Sequence, residues 1–262
     1  MTPRRPVPFR GGGFAPRRRR FAALAAFAIL AGIWELAGRL GWISPIFLPR
    51  PGVILAALGD LIASGALALH LRDSLFRIAA GWSLGSLAGF VAGLAIGLFS
   101  LARSAGIPFV SALFPIPKIA LLPLMILWFG IGESSKVATI ALGVFFPTTI
   151  AVYAAVDSVP RNLIRMAQSF GVPPAAILAK VVLPGAWPAI LAGFRITASI
   201  ALILVVSAEM IGAQRGIGQF VLQAGNLMIP EDLLAGIVVL SALGLAIGAV
   251  IGVIERATTR WR

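Results

Sequence analysis

Long apolar blocks constrain this chain more than any other feature. Residues 233–254 run for a membrane-crossing length without a charged side chain, and several earlier blocks have the same character. A helix needs about 20 mainly apolar residues to cross the hydrocarbon core of a bilayer. Of the 262 residues, 59% are hydrophobic and only 12% are charged, which is about half the charged share that is usual in soluble domains. The sequence therefore predicts an all-α, polytopic membrane protein.

Six transmembrane helices are predicted along the chain. Their approximate limits are 21–38, 78–102, 119–132, 137–156, 188–211 and 233–254. The stretch before the third span contains Pro108, Pro115 and Pro117, which predicts a broken segment that enters the membrane at an angle or lies in the interface. The first span is long, contains Glu35 and is followed by Arg39 rather than by small residues. It is therefore predicted to be an uncleaved helix and not a signal peptide.

The distribution of lysine and arginine predicts that both termini are cytoplasmic. With the N-terminus inside, 15 of the 22 basic residues fall on the inner side and six on the outer side, with Lys118 unassigned. Cytoplasmic loops carry this excess in membrane proteins. The inner set is Arg4, Arg5, Arg10, Arg17 to Arg20, Arg103, Arg161, Arg165, Lys180, Arg195, Arg256, Arg260 and Arg262. Topology and attraction to anionic lipid thus account for the formal charge of +13 without a nucleic-acid partner.

Residues 165–184, RMAQSFGVPPAAILAKVVLP, fall between the fourth and fifth spans, on the predicted cytoplasmic side. Arg165 and Lys180 would each cost about 3 kcal/mol near the bilayer centre, so two short helices are predicted instead of a seventh span. We expect Ser158 to cap the first helix, Gly171 to end it in a left-handed conformation, and Pro184 to stop the second.

The second of these short helices has an apolar surface with few charges. Its residues are Ala175, Ile177, Leu178, Val181 and Val182. Exposed apolar patches mark partner sites, whereas a helix lying flat in the inner headgroup layer would have a similar surface. The pattern alone leaves both interpretations open.

The spacing of this segment resembles the cytoplasmic signature of binding-protein-dependent ABC importer permeases, which is EAA, three residues, Gly, nine residues and I-x-L-P. The positions that hold the second alanine, the glycine and the final motif are Ala167, Gly171, Val181, Leu183 and Pro184. Arg165 stands where the signature has its acidic residue, and Met166 stands where it has its first alanine. The resemblance implies that the segment is the coupling helix on which a separate ATPase docks.

Four other stretches are similar to the nitrate/sulfonate/taurine permease family. They are residues 48–58, 70–81, 115–148 and 207–226. The resemblance implies a type I ABC importer permease fold with six transmembrane helices in a bacterial inner membrane. The implied partners are ABC ATPase subunits, an extracytoplasmic solute-binding protein, membrane lipid and a second permease copy, with a paralogue as the alternative second subunit. Nitrate, taurine, alkanesulfonates, bicarbonate and thiamine precursors remain open as the solute.

The resemblance also implies a division of the chain. A cytoplasmic basic tail covers residues 1–20, and the first transmembrane helix lies within residues 21–44. A core permease domain covers residues 45–256 and contains the coupling loop at 158–187. A second cytoplasmic tail covers residues 257–262.

No cofactor, metal site or catalytic residue is predicted. A nucleotide-binding P-loop requires Gly-Lys followed by Ser or Thr, but Lys118, Lys136 and Lys180 are followed by Ile or Val. We therefore expect ATP hydrolysis on another polypeptide. Two other function classes are disfavoured. A secondary transporter would usually contain two repeated halves, which this sequence lacks, and an intramembrane enzyme would need a catalytic constellation. His70 and Ser74 are interpreted as caps at the start of the second span.

Glycines recur every four residues in the second span. They are Gly81, Gly85, Gly89, Gly93 and Gly97. This spacing places them on one side of a helix and permits the close approach of another backbone. Packing within the subunit is favoured over a dimer seam or a sliding surface.

Polar residues at membrane depth are the remaining candidates, because such residues are expensive there and usually functional. Lys118 and Glu209 are predicted to face the solute pathway, with snorkelling of Lys118 to inner headgroups as its alternative. Arg195 is predicted to be a structural anchor. Glu35 has no partner that the sequence reveals.

Overall fold

The structure is a computed structural model that describes residues 21–258, and over this range it contains helices and no β-strand. The helices are α1 (Ala22–Arg39), α2 (Pro51–Ala63), α3 (Ala66–Leu98), α4 (Ser100–Leu113), α5 (Leu122–Phe129), α6 (Glu133–Asp157), α7 (Arg161–Ser169), α8 (Pro174–Ile177), α9 (Leu183–Met210), α10 (Ile217–Asn226) and α11 (Pro230–Thr258). A 3₁₀ turn (Lys118–Leu121) precedes α5, and a π-helical turn (Leu178–Val182) joins α8 to α9. The prediction of an all-α membrane fold is confirmed.

Four or five helices of the described residues can cross a membrane where six spans are predicted, and they differ from those spans at their ends. Among the described residues, α3, α6, α8–α9 and α11 are long and apolar enough to cross a bilayer, and α4 with α5 makes a fifth if this bent pair is one span. α3 begins about three turns before the predicted start at residue 78. α1 covers the predicted first span, which stays a prediction.

The proline-rich segment before the third span breaks later than predicted. Pro108 lies inside α4, which continues to Leu113. The chain bends by 85° between α4 and the 3₁₀–α5 segment, where Pro115 and Pro117 lie. A single proline removes one helical hydrogen bond. Pro115 and Pro117 together remove two N–H donors within three residues, and the helix ends just before them, after Phe114, which still has helical backbone angles.

The core lies between three long helices. α3 and α6 run parallel and in close contact, and α9 packs against both of them. One buried cluster joins the C-terminal half of α6 to α7, α8 and the start of α9 through Val152, Val156, Ala167, Ile177 and Val182. This cluster places the predicted coupling segment at the end of the bundle where α3 and α6 terminate.

Candidate functional site

The coupling segment begins with a short helix that ends as predicted. α7 ends at Ser169, and Gly171 has a φ of +69°. The Gly171 N–H donates to the carbonyl of Gln168 at 2.9 Å, and the Val172 N–H donates to that of Ala167 at 3.1 Å. These bonds satisfy the last carbonyls of α7, as in helix ends that use a left-handed glycine. The predicted positive φ at Gly171 is confirmed.

The start of α7 differs from the prediction. Ser158 does not cap it, because the Ser158 hydroxyl donates to the carbonyl of Ala155 at 2.7 Å, within the last turn of α6. Pro160 occupies the position before the first helical residue, and no side chain caps the helix there. Ser158 thus closes α6 and does not open α7.

The exposed apolar surface lies on the first short helix and not on the second. Ile177 and Val182 are buried in the cluster below α6, and Leu178 and Val181 pack against it. These side chains anchor the segment to the bundle, so the second helix lacks the exposed apolar surface on which both open interpretations depended.

The apolar side chains that do face outward belong to α7 and its C-terminal residue. Leu163 is 41% exposed, Met166 55% and Phe170 80%. Arg165 is also exposed on this helix, whereas Ala167 is buried on the opposite side. Of the signature residues, Arg165 is exposed on α7. The others that pack inward and hold the segment in place are Ala167, Val181, Leu183 and Pro184.

The prediction that Pro184 stops the second helix is wrong. α8, the π-helical turn and α9 form one continuous helical stretch, and Pro184 lies in the first turn of α9. Proline is tolerated in a first turn, where its missing N–H is not required, and the wider π turn before it changes the hydrogen-bond register. Val181, Leu183 and Pro184 are partly buried at this junction.

The glycine ridge of α3 packs within the subunit. A Cβ atom added at Gly81 would lie 2.6 Å from Ile140, and one at Gly93 would lie 2.7 Å from the Thr149 carbonyl oxygen. Gly85, Gly89 and Gly97 likewise face α6, along its whole length. The favoured interpretation, intrasubunit packing, agrees with this geometry.

Lys118 lies against the end of α4. Its Nζ donates to the carbonyls of Leu113 at 2.7 Å, Phe114 at 3.1 Å and Ile116 at 2.7 Å. It also lies 4.7 Å from the centroid of the Phe146 ring. The ammonium group thus caps the carbonyl end of α4 at the proline break. Its role in the pathway stays a prediction.

Glu209 belongs to a buried polar cluster that the sequence did not reveal. Its side chain is fully buried and accepts hydrogen bonds from Ser74 Oγ at 2.8 Å, Arg77 Nη1 at 2.8 Å and the Gly218 N–H at 2.8 Å. Arg77 also forms two bonds to Glu133, at 2.6 and 2.7 Å. The cluster therefore joins α3, the start of α6, the end of α9 and the start of α10.

His70 and Ser74 take part in the same junction and are not caps. Both lie inside α3, where Ser74 Oγ accepts the Ile217 N–H at 2.9 Å and His70 Nδ1 lies 3.1 Å from the nitrogen and 3.0 Å from the carbonyl oxygen of Gly216. His70, Ser74 and Arg77 are spaced by four and three residues, so they share one face of the helix. That spacing was the available signal, and it was missed because the span was predicted to begin at residue 78.

Two other polar residues have structural partners. Glu35 accepts the Gly52 N–H at 2.9 Å and Arg39 Nε at 2.8 Å, so it caps the N-terminus of α2 and pairs within α1. Arg195 donates to the Gly248 carbonyl at 3.2 Å and lies 3.8 Å from Glu255. Arg195 therefore joins α9 to α11, which agrees with its predicted role as an anchor.

A groove of about 820 Å³ lies beneath the coupling segment. It is lined on one side by the α3–α4 junction and the end of α6, and on the other by α7 and the start of α8. Arg103 and Asp157 lie at its edge and form two hydrogen bonds, at 2.7 and 2.5 Å.

The described residues thus form an all-helical membrane bundle that holds a short exposed helix, α7, at one end. The chain belongs to the family described as binding-protein-dependent transport system inner membrane component, which matches residues 85–260. It is thus an ABC importer permease, a non-enzymatic transport subunit of the inner membrane that works with a separate ATPase and a solute-binding protein. The family predicted from the coupling signature is confirmed.

Relatives match almost the whole chain. It is 36% identical over 244 residues to the taurine transport system permease protein TauC of Escherichia coli (strain K12), which covers 91% of this chain and 89% of that protein. It is 33% identical over 250 residues to the putative aliphatic sulfonates transport permease protein SsuC of Bacillus subtilis (strain 168), covering 94% and 91%.

A solved structure shares the fold. A chain of the MetNI methionine ABC transporter in an inward-facing conformation superposes with a TM-score of 0.61 at 25% identity, covering 72% of this chain and 96% of that one. This likeness supports the type I importer permease fold.

Proposed function

We propose that two copies of this chain form the pathway of an importer for a small sulfonate-type anion such as taurine. The names of the two sulfonate-family relatives, which align over more than nine-tenths of this chain, support the solute class. The second copy rests on the resemblance to the permease family, which implies two such subunits around one pathway. Lipid would cover the exposed apolar sides of α1, and both termini would lie in the cytoplasm.

The ATPase is proposed to dock on α7. The observation that carries this proposal is the stripe of exposed apolar side chains on α7, Leu163, Met166 and Phe170, at one end of the bundle, with the exposed Arg165 on another face of the same helix. An exposed apolar patch of this kind is typical of a protein interface. Gly171 sets the direction in which the chain leaves this surface, and the buried Ala167 and Val182 connect it to the core.

A cysteine-protection experiment tests docking and topology together. The chain contains no cysteine, so Met166→Cys and Leu227→Cys each introduce a unique thiol at an exposed position. We expect a membrane-impermeant maleimide to label Met166→Cys only from the cytoplasmic side, and the ATPase subunit to protect it. Leu227→Cys is the matched control, which should be labelled from the opposite side and remain unprotected.

Labelling of Met166→Cys from outside the cell would contradict the proposed orientation. Equal labelling of Met166→Cys with and without a bound ATPase would contradict docking on α7.

The solute proposal is tested separately in proteoliposomes that contain the permease, its ATPase and its binding protein. We expect ATP-dependent uptake of radiolabelled taurine, with nitrate as a weak competitor. Uptake of nitrate that taurine does not inhibit would contradict a sulfonate importer.

We also propose that the permease binds no nucleotide or cofactor of its own. The purified permease without its ATPase should then neither hydrolyse ATP nor retain a labelled ATP analogue. Retention of the analogue by the permease alone would contradict this.

A further inference from the structure

The structure holds a two-bond ion pair at the base of the coupling segment. Arg103 lies in the first turn of α4, and Asp157 is the last residue of α6, four residues before α7 begins. Their side chains meet through Nη1–Oδ1 at 2.7 Å and Nη2–Oδ2 at 2.5 Å. A planar guanidinium that binds both carboxylate oxygens fixes orientation as well as distance.

The backbone next to Arg103 is suited to a pivot. α3 ends at Leu98, Phe99 is extended with a φ of −113° and a ψ of 127°, and α4 begins at Ser100. The single extended residue separates two helices, and Arg103 lies one turn beyond it. A displacement of Asp157 that carries the Arg103 side chain with it would therefore rotate α4 relative to α3 about Phe99.

The far end of α4 holds Lys118. The carbonyls of Leu113 and Phe114, at the end of the helix, accept hydrogen bonds from the Lys118 ammonium group. A displacement of α4 would consequently move the 3₁₀ turn and α5, which follow the bend of 85°. α4, Lys118 and the segment that follows the bend are therefore held together by these hydrogen bonds.

The groove beneath α7 leaves space for such a displacement. It lies between α7 and the α3–α4 junction, and both Arg103 and Asp157 line it together with Ile164 and Gln168 of α7. The pair is partly exposed, at 42% for Arg103 and 34% for Asp157, and its hydrogen bonds cross from α4 to α6 at the edge of this space.

We propose that the Arg103–Asp157 pair transmits movement of α7 to α4 and to the bent segment that holds Lys118. The pair acts as a positioning device and touches neither solute nor nucleotide. This inference rests on the proposed docking of the ATPase on α7. The ion pair is the connection through which ATPase docking on α7 changes the position of α4 and of the bent segment.

The test measures a change in the bent segment and does not depend on the solute. Ile116→Cys places a unique thiol at an exposed site in the bend, and its maleimide labelling rate is compared with and without ATP and vanadate in the permease–ATPase complex. Variants in this background are Arg103→Gln, Asp157→Asn and the charge exchange of Arg103→Glu with Asp157→Arg. Arg39→Gln, which breaks the exposed pair with Glu35 in α1, is the control.

We expect ATP to change the labelling rate by about fivefold in the parent, which corresponds to about 1 kcal/mol. The two single variants should lose this response while they retain ATPase binding, and the charge exchange should restore most of it. The control should respond like the parent. A full response in both single variants would overturn the inference, as would a charge exchange that restores nothing. Failure of the ATPase to bind the parent at α7 would overturn the proposed docking and this route together.

Discussion

Removal of the Arg77 guanidinium by Arg77→Met should destabilise the fold strongly. The side chain is 2% exposed and holds two carboxylates and the Arg215 carbonyl oxygen. Glu209, which is fully buried, would keep its bonds from Ser74 and the Gly218 N–H but lose its only ion-pair partner among the described residues. Breaking a buried pair from one side costs about 3–5 kcal/mol, because a charge remains without compensation.

Glu133 contributes less to this cost. Its side chain is 50% exposed, so water can replace the lost guanidinium, and an exposed pair contributes about 0–1 kcal/mol. The expected loss for Arg77→Met is therefore about 4 kcal/mol, with the larger part attributable to Glu209. Neutralising Glu209 as well should recover part of the loss, so the double variant Arg77→Met with Glu209→Gln should be more stable than Arg77→Met alone.

The assay is reversible unfolding in mixed detergent–SDS micelles, followed by tryptophan fluorescence. Arg39→Met is the matched control, because Arg39 is 66% exposed and its pair with Glu35 should contribute about 1 kcal/mol or less. If Arg77→Met were no more destabilising than Arg39→Met, the cluster would not be the buried ion pair described above. If the double variant lost stability additively, an uncompensated Glu209 charge would not be the cause.

Four further predictions concern single sites. Gly171→Val should cost about 1 kcal/mol or more through its positive φ alone, since no atom lies within 4 Å of the added Cβ. The variant should insert in the membrane but lose ATPase binding, and Gly171→Asn should have a milder effect. Gly85→Ala should lower the thermal unfolding midpoint because its Cβ would meet the backbone of Ala141, whereas Gly248→Ala, which has open space, should not. Lys118→Gln should slow uptake with assembly intact and Lys118→Arg should retain more activity, while parallel loss of assembly would leave only the capping role. Arg165→Glu should weaken pull-down of the protein's own ATPase at low salt, if that ATPase has a neutral or acidic residue opposite Arg165. The same variant should improve pull-down of an ATPase that has a basic residue there. Unchanged binding of the native ATPase would contradict this charge complementarity.

The features that could be predicted from the sequence are those that depend on neighbouring residues. The left-handed turn at Gly171 and the repeat from Gly81 to Gly97 follow from local stereochemistry and helical spacing, and both are present. The sequence left open what covers the apolar face of the second short helix, because the burial of Ile177 and Val182 depends on α6, which is distant in sequence. A helical pattern shows that one face is apolar, but it does not show what covers that face.

The buried cluster around Glu209 was missed for a related reason. Its members come from four separate parts of the chain, and no local pattern connects residue 77 with residues 133 and 209. The spacing of His70, Ser74 and Arg77 on one helical face did indicate a shared environment. It could not identify the partners, because these are set by how α3, α6 and α9 meet.

The glycine contact between α3 and α6 has a consequence for how an importer of this kind can move. The two helices touch with almost no clearance from Gly81 to Gly97, so a small relative shift would drive side chains of α6 into the backbone of α3. A shift of α3 by one full turn along α6 would move Arg77 about 5 Å relative to the Glu133 carboxylate at the start of α6. We therefore expect α3 and α6 to rotate together as one rigid body during a transport cycle. The changes in shape would then occur at the joint at Phe99 and at the bend near Pro115 and Pro117.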